Sequence, residues 1–514
     1  MADQNLFNLI KSLDKNEKRY FKRIANLHVK KGINKYIKLF DAIEKQNIYE
    51  EIKVISLLND NDFTKNFSQA KLSLEKLILK ALRNYHHNNI DEINLNDQIN
   101  NIYIINSKKL YQKSFELLDK LKNNFTVKNN YNLSLIVNNL ELTTAIKANN
   151  IERLNKLGEQ YGKDCIIINK KINDEIIIRN SHLQIYCLLR NIGLLNNDKD
   201  RELAQSYINA IDKYNPVNLN TLNAIFFYQT KLFYSYIMHD VKTAIKYSDL
   251  IIRLYQSDDI YKQKNTSTFL SHKVNHLSLI SSVKKNEVVE KYYSELVKTI
   301  QYNNEIDDNI NPLYRIHSIM IFHYINNGKI NDAERLVKVT SLDKSIFFID
   351  EAAKLSLLIA HIWTYTIQKN YPKAIQELQY FIHTVHTKNA SDFYIISRII
   401  YTIILFEQEN YKLLKSTSLN TLSQLKRIKR FDDSLYLFFT FFSKTFKSKD
   451  NINQIENFKI LKNQLLELDE KYKLVIFNSL QTCAWIECKI SGKNFDKIII
   501  NKKFLNLWKI KNFI

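Results

Sequence analysis

Leu358-Ile-Ala-His-Ile-Trp-Thr-Tyr-Thr-Ile367, then Gln368-Lys369-Asn370, then Tyr371-Pro372-Lys373-Ala374-Ile375 running on to Leu378, Phe381 and Ile382, is the stretch from which the fold can be read. Ten mostly apolar residues make one helix, three polar residues make a tight turn, and a second helix follows. Pro372 falls in the first turn of that second helix, where a missing N–H costs nothing. Ala374 is a small residue at the point where the two helices approach most closely. Tyr365, Tyr371, Ala374, Leu378 and Phe381 then form the apolar face of a helix pair that cannot bury itself alone.

The same pattern recurs on either side. Aligned on the residue that opens the second helix of each pair, the units fall at Tyr111, Ile151, Arg201, Val241, Glu287, Ile330, Tyr371, Tyr411 and Ile452. Successive steps are 40, 50, 40, 46, 43, 41, 40 and 41 residues. Two positions earlier stand Lys109, Asn149, Lys199, His239, Lys285, Gly328, Lys369, Glu409 and Asp450, all turn or polar residues. Three positions later stand Ser114, Leu154, Ala204, Ala244, Glu290, Ala333, Ala374, Leu414 and Ile455. Arg201 and Glu287 put a charge where the other units have an apolar or aromatic residue.

This periodicity resembles the tetratricopeptide superfamily, over roughly 370 of the 514 residues. The unit is longer than that family's 34 residues, which implies helices longer by nearly a turn. Longer-period relatives of this kind occur in bacterial regulators. The resemblance implies an all-α fold: an α-solenoid of stacked antiparallel helix pairs over residues 96–470, each pair burying its neighbour. A basic helical head, residues 1–95, precedes the array. A C-terminal helical cap, residues 471–514, covers its last face with apolar clusters at Leu474 to Phe477, Trp485-Ile486 and Ile498 to Trp508.

In the head, Asp14 and Glu17 have the spacing of a capping box, and the helix they open carries Lys18, Arg19, Lys22 and Arg23. Lys30-Lys31-Gly32 breaks that helix. Tyr36 to Ile43 and Ile52 to Leu58 predict two more. A long helix starting near Ser68 keeps Ala70, Leu74, Leu77, Ile78 and Ala81 as a buried stripe and sets Lys71, Lys76, Lys80 and Arg83 on its polar side.

Composition agrees with helices. Six Gly and three Pro are too few for strand-and-turn folds, while 45% apolar and 12% aromatic residues are ample for a core. The net charge is +22. Residues 1–50 hold eleven basic against six acidic side chains, a net of +5, and residues 401–514 carry +9, whereas residues 301–350 carry −2. A charge gathered at the two ends is more than uniform Lys usage predicts, and it points to an anionic partner such as nucleic acid.

Four cysteines are too few for a disulfide framework, and the N-terminus has no uninterrupted apolar run of a secretory signal. The expected location is cytoplasmic, with no membrane span. With six glycines, no phosphate-cradling loop can be assembled. Cys483 and Cys488 have the wrong spacing for a zinc knuckle and read as two buried thiols. The pairs His272/His276 and His383/His386 lack a third ligand. Acidic pairs such as Asp307-Asp308 and Asp432-Asp433 read as helix-start residues. No cofactor, metal or catalytic constellation is therefore expected, and the chain reads as a non-enzymatic scaffold for a protein or peptide.

In tetratricopeptide-like arrays one side of each first helix lines the binding groove. The resemblance places Phe233, Tyr236, Arg315, Phe322, Trp363 and Phe406 there, residue types enriched at interface hot spots. The alternative is a nucleic-acid-associated regulator, with DNA or RNA contacted by Lys18, Arg19, Lys22, Arg23, Lys71, Lys76, Lys80 and Arg83 of the head. The sequence leaves the oligomeric state open.

Overall fold

A computed structural model describes residues 2–27, 34–58, 66–87, 91–124, 127, 130–192, 198–238, 240–283, 285–302, 312–341, 351–384, 391–427, 433–444, 451–468, 480–501 and 504. The expected break at Lys30 to Gly32, the turn residues His239 and Asp450, the acids Asp307, Asp308 and Asp432, His386, and the tail clusters at 474–477 and 505–508 lie outside those residues. Every regular element among the described residues is a helix. The chain divides into two compact units, Met1–Asn173 and Asp174–Ile514.

The first unit begins with α1 (Ala2–Ser12), α2 (Lys15–Asn26), α3 (Lys35–Glu44), α4 (Glu51–Leu58) and α5 (Phe67–Tyr85). These share a core in which Ile10, Leu39, Ile43, Val54, Leu74 and Ile78 are wholly buried and the Phe21 and Phe40 rings lie 4.8 Å apart. The capping box forms: Asp14 Oδ1 accepts from the Glu17 amide at 2.8 Å, and Glu17 Oε2 accepts from the Asp14 amide at 2.9 Å. A second core joins α6 (Asp91–Ser107), α7 (Tyr111–Asn123), α8 (Tyr131–Ala148) and the start of α9 (Ile151–Ile192) through Ile102, Phe115, Leu118, Leu140 and Ala145.

The second unit takes the rest of α9, then α10 (Asp198–Asp212), α11 (Thr221–Ile237), α12 (Val241–Ser257), α13 (Asp259–Lys264), α14 (Thr266–Ile280), α15 (Asn286–Tyr302), α16 (Pro312–Asn326), α17 (Ile330–Ser341), α18 (Glu351–Ile367), α19 (Tyr371–Thr384), α20 (Ser391–Glu407), α21 (Tyr411–Arg427), α22 (Asp433–Lys444), α23 (Asn451–Glu467), α24 (Leu480–Ser491) and α25 (Phe495–Ile499). Helices pack on their sequence neighbours: α11 on α12, α16 on α17 and α18, α18 on α19 and α20, and so to α23 on α24. This packing is compatible with a helical repeat. One helix departs from it, because α24 also touches α16.

Turn chemistry explains why the units begin where they do. Lys109, Asn149, Gly328, Lys369 and Glu409 all have left-handed backbone, with φ between +48° and +71°. At each, the following amide bonds back five residues, as from Leu110 to Ile105 O (3.2 Å), Lys329 to Tyr324 O (2.8 Å), Asn370 to Tyr365 O (2.8 Å) and Asn410 to Leu405 O (3.0 Å). The left-handed residue's own amide bonds back three, as from Lys369 to Thr366 O at 3.1 Å. Together these are a Schellman motif, which satisfies the last carbonyls of one helix and reverses the chain into the next. Tyr111, Ile151, Val241, Ile330, Tyr371 and Tyr411 accordingly stand first in their helices, and Ser114, Ala244, Ala333, Ala374 and Leu414 are buried.

Three anchors sit differently. Arg201 is the fourth residue of α10, Glu287 the second of α15 and Ile452 the second of α23. The irregular step of 50 residues has a cause in α9, which runs 42 residues without a turn. Its interior has no Pro, and Gly158 and Gly162 keep helical backbone, so nothing there ends the helix. Among the described residues no helix is long and apolar enough to cross a membrane.

Candidate partner-binding cavity

The Schellman turns before α17 and α19 lie beside α24 and the turn leading into α25. Between them is a cavity of about 610 Å³. Its apolar wall is Trp363 from α18, Tyr371 from the first turn of α19, Ile403 from α20, Trp485 from α24 and Phe495 from α25. Gly328 makes the approach of α25 feasible. A methyl group added there would lie 3.1 Å from both Asp496 O and Ile500 Cγ2. Burial, helped by the nearby Glu407 charge, holds the Tyr371 phenol well above its usual range and therefore neutral.

Charged side chains ring this wall. Lys329 pairs with Glu290 at 2.8 Å, and Asp332 with Arg335 at 3.1 Å. Glu407 accepts the Trp485 indole N–H at 2.6 Å and the Lys489 ammonium at 2.5 Å. Lys369, Lys493 and Asp496 also line the cavity and have no ion pair among the described residues. The Cys488 thiol, on the same wall, is pushed up to about 12, chiefly by burial, and stays protonated.

Helix α24 closes one side. Seven successive residues, Gln481 to Glu487, are buried, so this helix is covered all round rather than along one stripe. The Trp485 ring lies 5.5 Å from Phe458, 5.7 Å from Phe406 and 6.2 Å from Phe442. Polar contacts fix its ends: Gln481 Nε2 donates to Asn326 Oδ1 at 2.6 Å, and Lys462 pairs with Glu487 at 2.5 Å. Helix α24 thus reaches from α16 to α23.

The groove residues expected from the resemblance do not form one open surface. Trp363 is 3% and Phe406 5% exposed; Trp363 shows only its cavity edge, and Phe406 packs on Trp485. Phe322 is half-buried against the same core. Phe233 is half-buried between His182 (5.6 Å) and Tyr186 (5.9 Å). Arg315 Nη2 donates to Asn275 Oδ1 at 3.1 Å, and Tyr236, at 44% exposure, is the most open of the six. Trp485, Glu407, Lys369 and Lys493 were not singled out from sequence as site residues. The aromatic and basic character of the C-terminal segment was the available signal.

The basic residues of the head separate into two groups. Lys18 pairs with Glu44 (3.2 Å), and Lys22 with Asp41 (2.7 Å) and Glu44 (3.3 Å). Lys71 is a correction to the expected polar face: it is 7% exposed and pairs with Glu51 at 2.5 Å. It shares the inward side with Leu74 and Ile78, three and seven residues on. Arg23 lies over the Tyr20 ring at 5.0 Å. Arg19, Lys76, Lys80 and Arg83 are exposed with no acidic partner among the described residues.

Cys483 is buried and Cys488 half-buried. His272 meets Gln229 (3.1 Å) and His276 meets Ser248 (3.1 Å). Among the described residues no group of three or more His, Cys, Asp or Glu could hold a metal ion. The chain matches no protein-family model, no curated protein sequence and no solved structure.

Proposed function

We propose that this protein is a non-enzymatic scaffold, a tetratricopeptide-like solenoid of stacked antiparallel helix pairs, which holds a protein or peptide partner in the cytoplasm. The observation that carries this reading is the cavity between the Schellman turns and α24, with its aromatic wall and two lysines that have no ion pair among the described residues. Concave sites with an apolar lining and a few convergent polar groups are where ligands bind. The test is affinity capture from the native cell with the whole chain and with a Lys369→Glu, Lys493→Glu variant. Both lysines are exposed, so the fold is expected to survive. Loss of the captured partner at unchanged melting temperature supports the reading. Capture that is indifferent to both charges refutes the cavity as the site.

A second reading has its own observation: Arg19, Lys76, Lys80 and Arg83 are exposed on α2 and α5, two helices packed on each other. In this reading the head contacts nucleic-acid phosphates. Binding to a duplex probe should then weaken by roughly one log unit per log unit of salt for each phosphate neutralised. Lys76→Glu with Lys80→Glu should lower that slope, and an unchanged slope removes the head from consideration.

A further inference from the structure

Helix α24 determines what kind of partner the cavity can take. It lies across α16 and α23 and buries Gln481 to Glu487, so no second helix can lie along that surface. What stays open is a pocket of about 610 Å³, within the roughly 300–1,000 Å³ of sites that enclose a small group. A helix, about 10–12 Å across with its side chains, is too thick for it.

The charges narrow the choice further. Lys329, Lys489, Asp332 and Glu407 are each matched by a counterion, as described above. Among the described residues Lys369, Lys493 and Asp496 are not, and together they leave one positive charge on the lining. One positive charge complements one carboxylate. It does not complement a phosphate dianion or an acidic run, which Asp496 would repel. Beside these charges stand Trp363, Tyr371 and Trp485, whose rings suit another ring in edge or offset contact. In a protein, a carboxylate and an aromatic ring share one Cα only at a C-terminal aromatic residue.

We infer that the cavity takes the C-terminal end of a partner chain, its α-carboxylate at Lys369 and Lys493 and its last side chain, aromatic, against Trp363, Tyr371 and Trp485. The inference rests on the partner-binding reading above and specifies its chemistry.

Two of the chain's three tryptophans line the cavity, so indole emission from the whole chain carrying Trp508→Phe reports its occupancy. Four probes are titrated: N-acetylphenylalanine, its neutral amide, and a ten-residue peptide ending in Phe as free acid and as amide. The peptide acid should bind at least about tenfold more tightly than the peptide amide, a difference two partly exposed ion pairs can supply. Lys369→Gln with Lys493→Gln should remove that preference and leave amide binding and melting temperature unchanged. Equal affinity for acid and amide peptides, with the partner capture still sensitive to Lys369 and Lys493, overturns the inference and leaves the partner-binding reading standing. N-acetylphenylalanine carries the same carboxylate and ring, so it too should bind in preference to its amide; no preference in either acid–amide pair overturns the inference. No emission change with any probe overturns the inference, and the capture experiment then decides the partner-binding reading separately.

Discussion

At Gly328 the backbone has φ +71°, and an added methyl would press on Asp496 O and Ile500 Cγ2 at 3.1 Å. Gly158 and Gly162 sit inside α9, where an added methyl meets nothing within 4 Å. One substitution should therefore act in opposite directions. Gly328→Ala is expected to cost at least about 1–2 kcal/mol from left-handed backbone alone, more if α25 must shift. Gly158→Ala and Gly162→Ala should each stabilise by about 0.5–1 kcal/mol, because glycine in a helix interior loses the most chain entropy on folding. Urea midpoints of the three variants against the native chain are the measurement; a gain from Gly328→Ala would mean the turn is not tightly held. Trp363 shows the limit of sequence at this scale. Its place in the repeat suggests an open groove, but it is 3% exposed and shares a cavity wall with Trp485, more than a hundred residues later.

Among the elements, the turns were the most legible. Lys109, Asn149, Gly328, Lys369 and Glu409 were picked out by position alone as turn residues, and each adopts the left-handed conformation that ends a helix. Local chemistry settles such a position, since the residues that make it lie within six places of each other. The run of α9 through residues 151–192 was not legible, because the 50-residue step from Ile151 to Arg201 does not say where a helix should end and no Pro stands there to end one. The course of α24 was equally hidden, since docking between distant segments leaves no periodicity. Its hold on the array can be tested. Trp485→Ala removes a buried ring from among Phe406, Phe442 and Phe458 and should cost about 3–5 kcal/mol. Trp485→Phe keeps much of the ring but takes from Glu407 one of its two donors, and should cost about 1–3 kcal/mol. In both variants hydrogen exchange at residues 481–487 should quicken before that of α18 and α20. Uniform acceleration across all three helices would show that α24 and the array unfold as one.

At the scale of the whole molecule, +22 charges already oppose compaction, and acid adds to them. Four histidines of the second unit sharpen this response, and burial is the largest cause at each, holding His323 below its ordinary range as well. Burial pushes His182 and His361 down to about 4, and burial together with the neighbouring His182 does the same to His272. His361 is held neutral in a specific tautomer. Thr340 gives its hydroxyl proton to Leu336 O at 2.8 Å, so at 2.7 Å it accepts from His361 Nε2–H and leaves Nδ1 as the unprotonated atom. A histidine whose folded pKa lies below its unfolded value of about 6.5 binds more protons unfolded than folded. Stability is therefore intact above about pH 6.5 and falls as the pH drops towards 4, by up to about 1.4 kcal/mol per pH unit for each such group. Glu377 opposes the trend, since burial raises its carboxyl and favours the folded state as acid protonates it. Four histidines against this one carboxyl should leave a net loss. Urea midpoints at pH 7, 5.5 and 4 measure it, in about 0.5 M salt to screen the general charge repulsion. His361→Gln keeps a donor for Thr340 but cannot titrate, so it should flatten the slope between pH 6.5 and 4 by about a quarter of the histidine contribution. A slope unchanged in that variant would mean that the His361 ring titrates with the solvent and is not held neutral in the core.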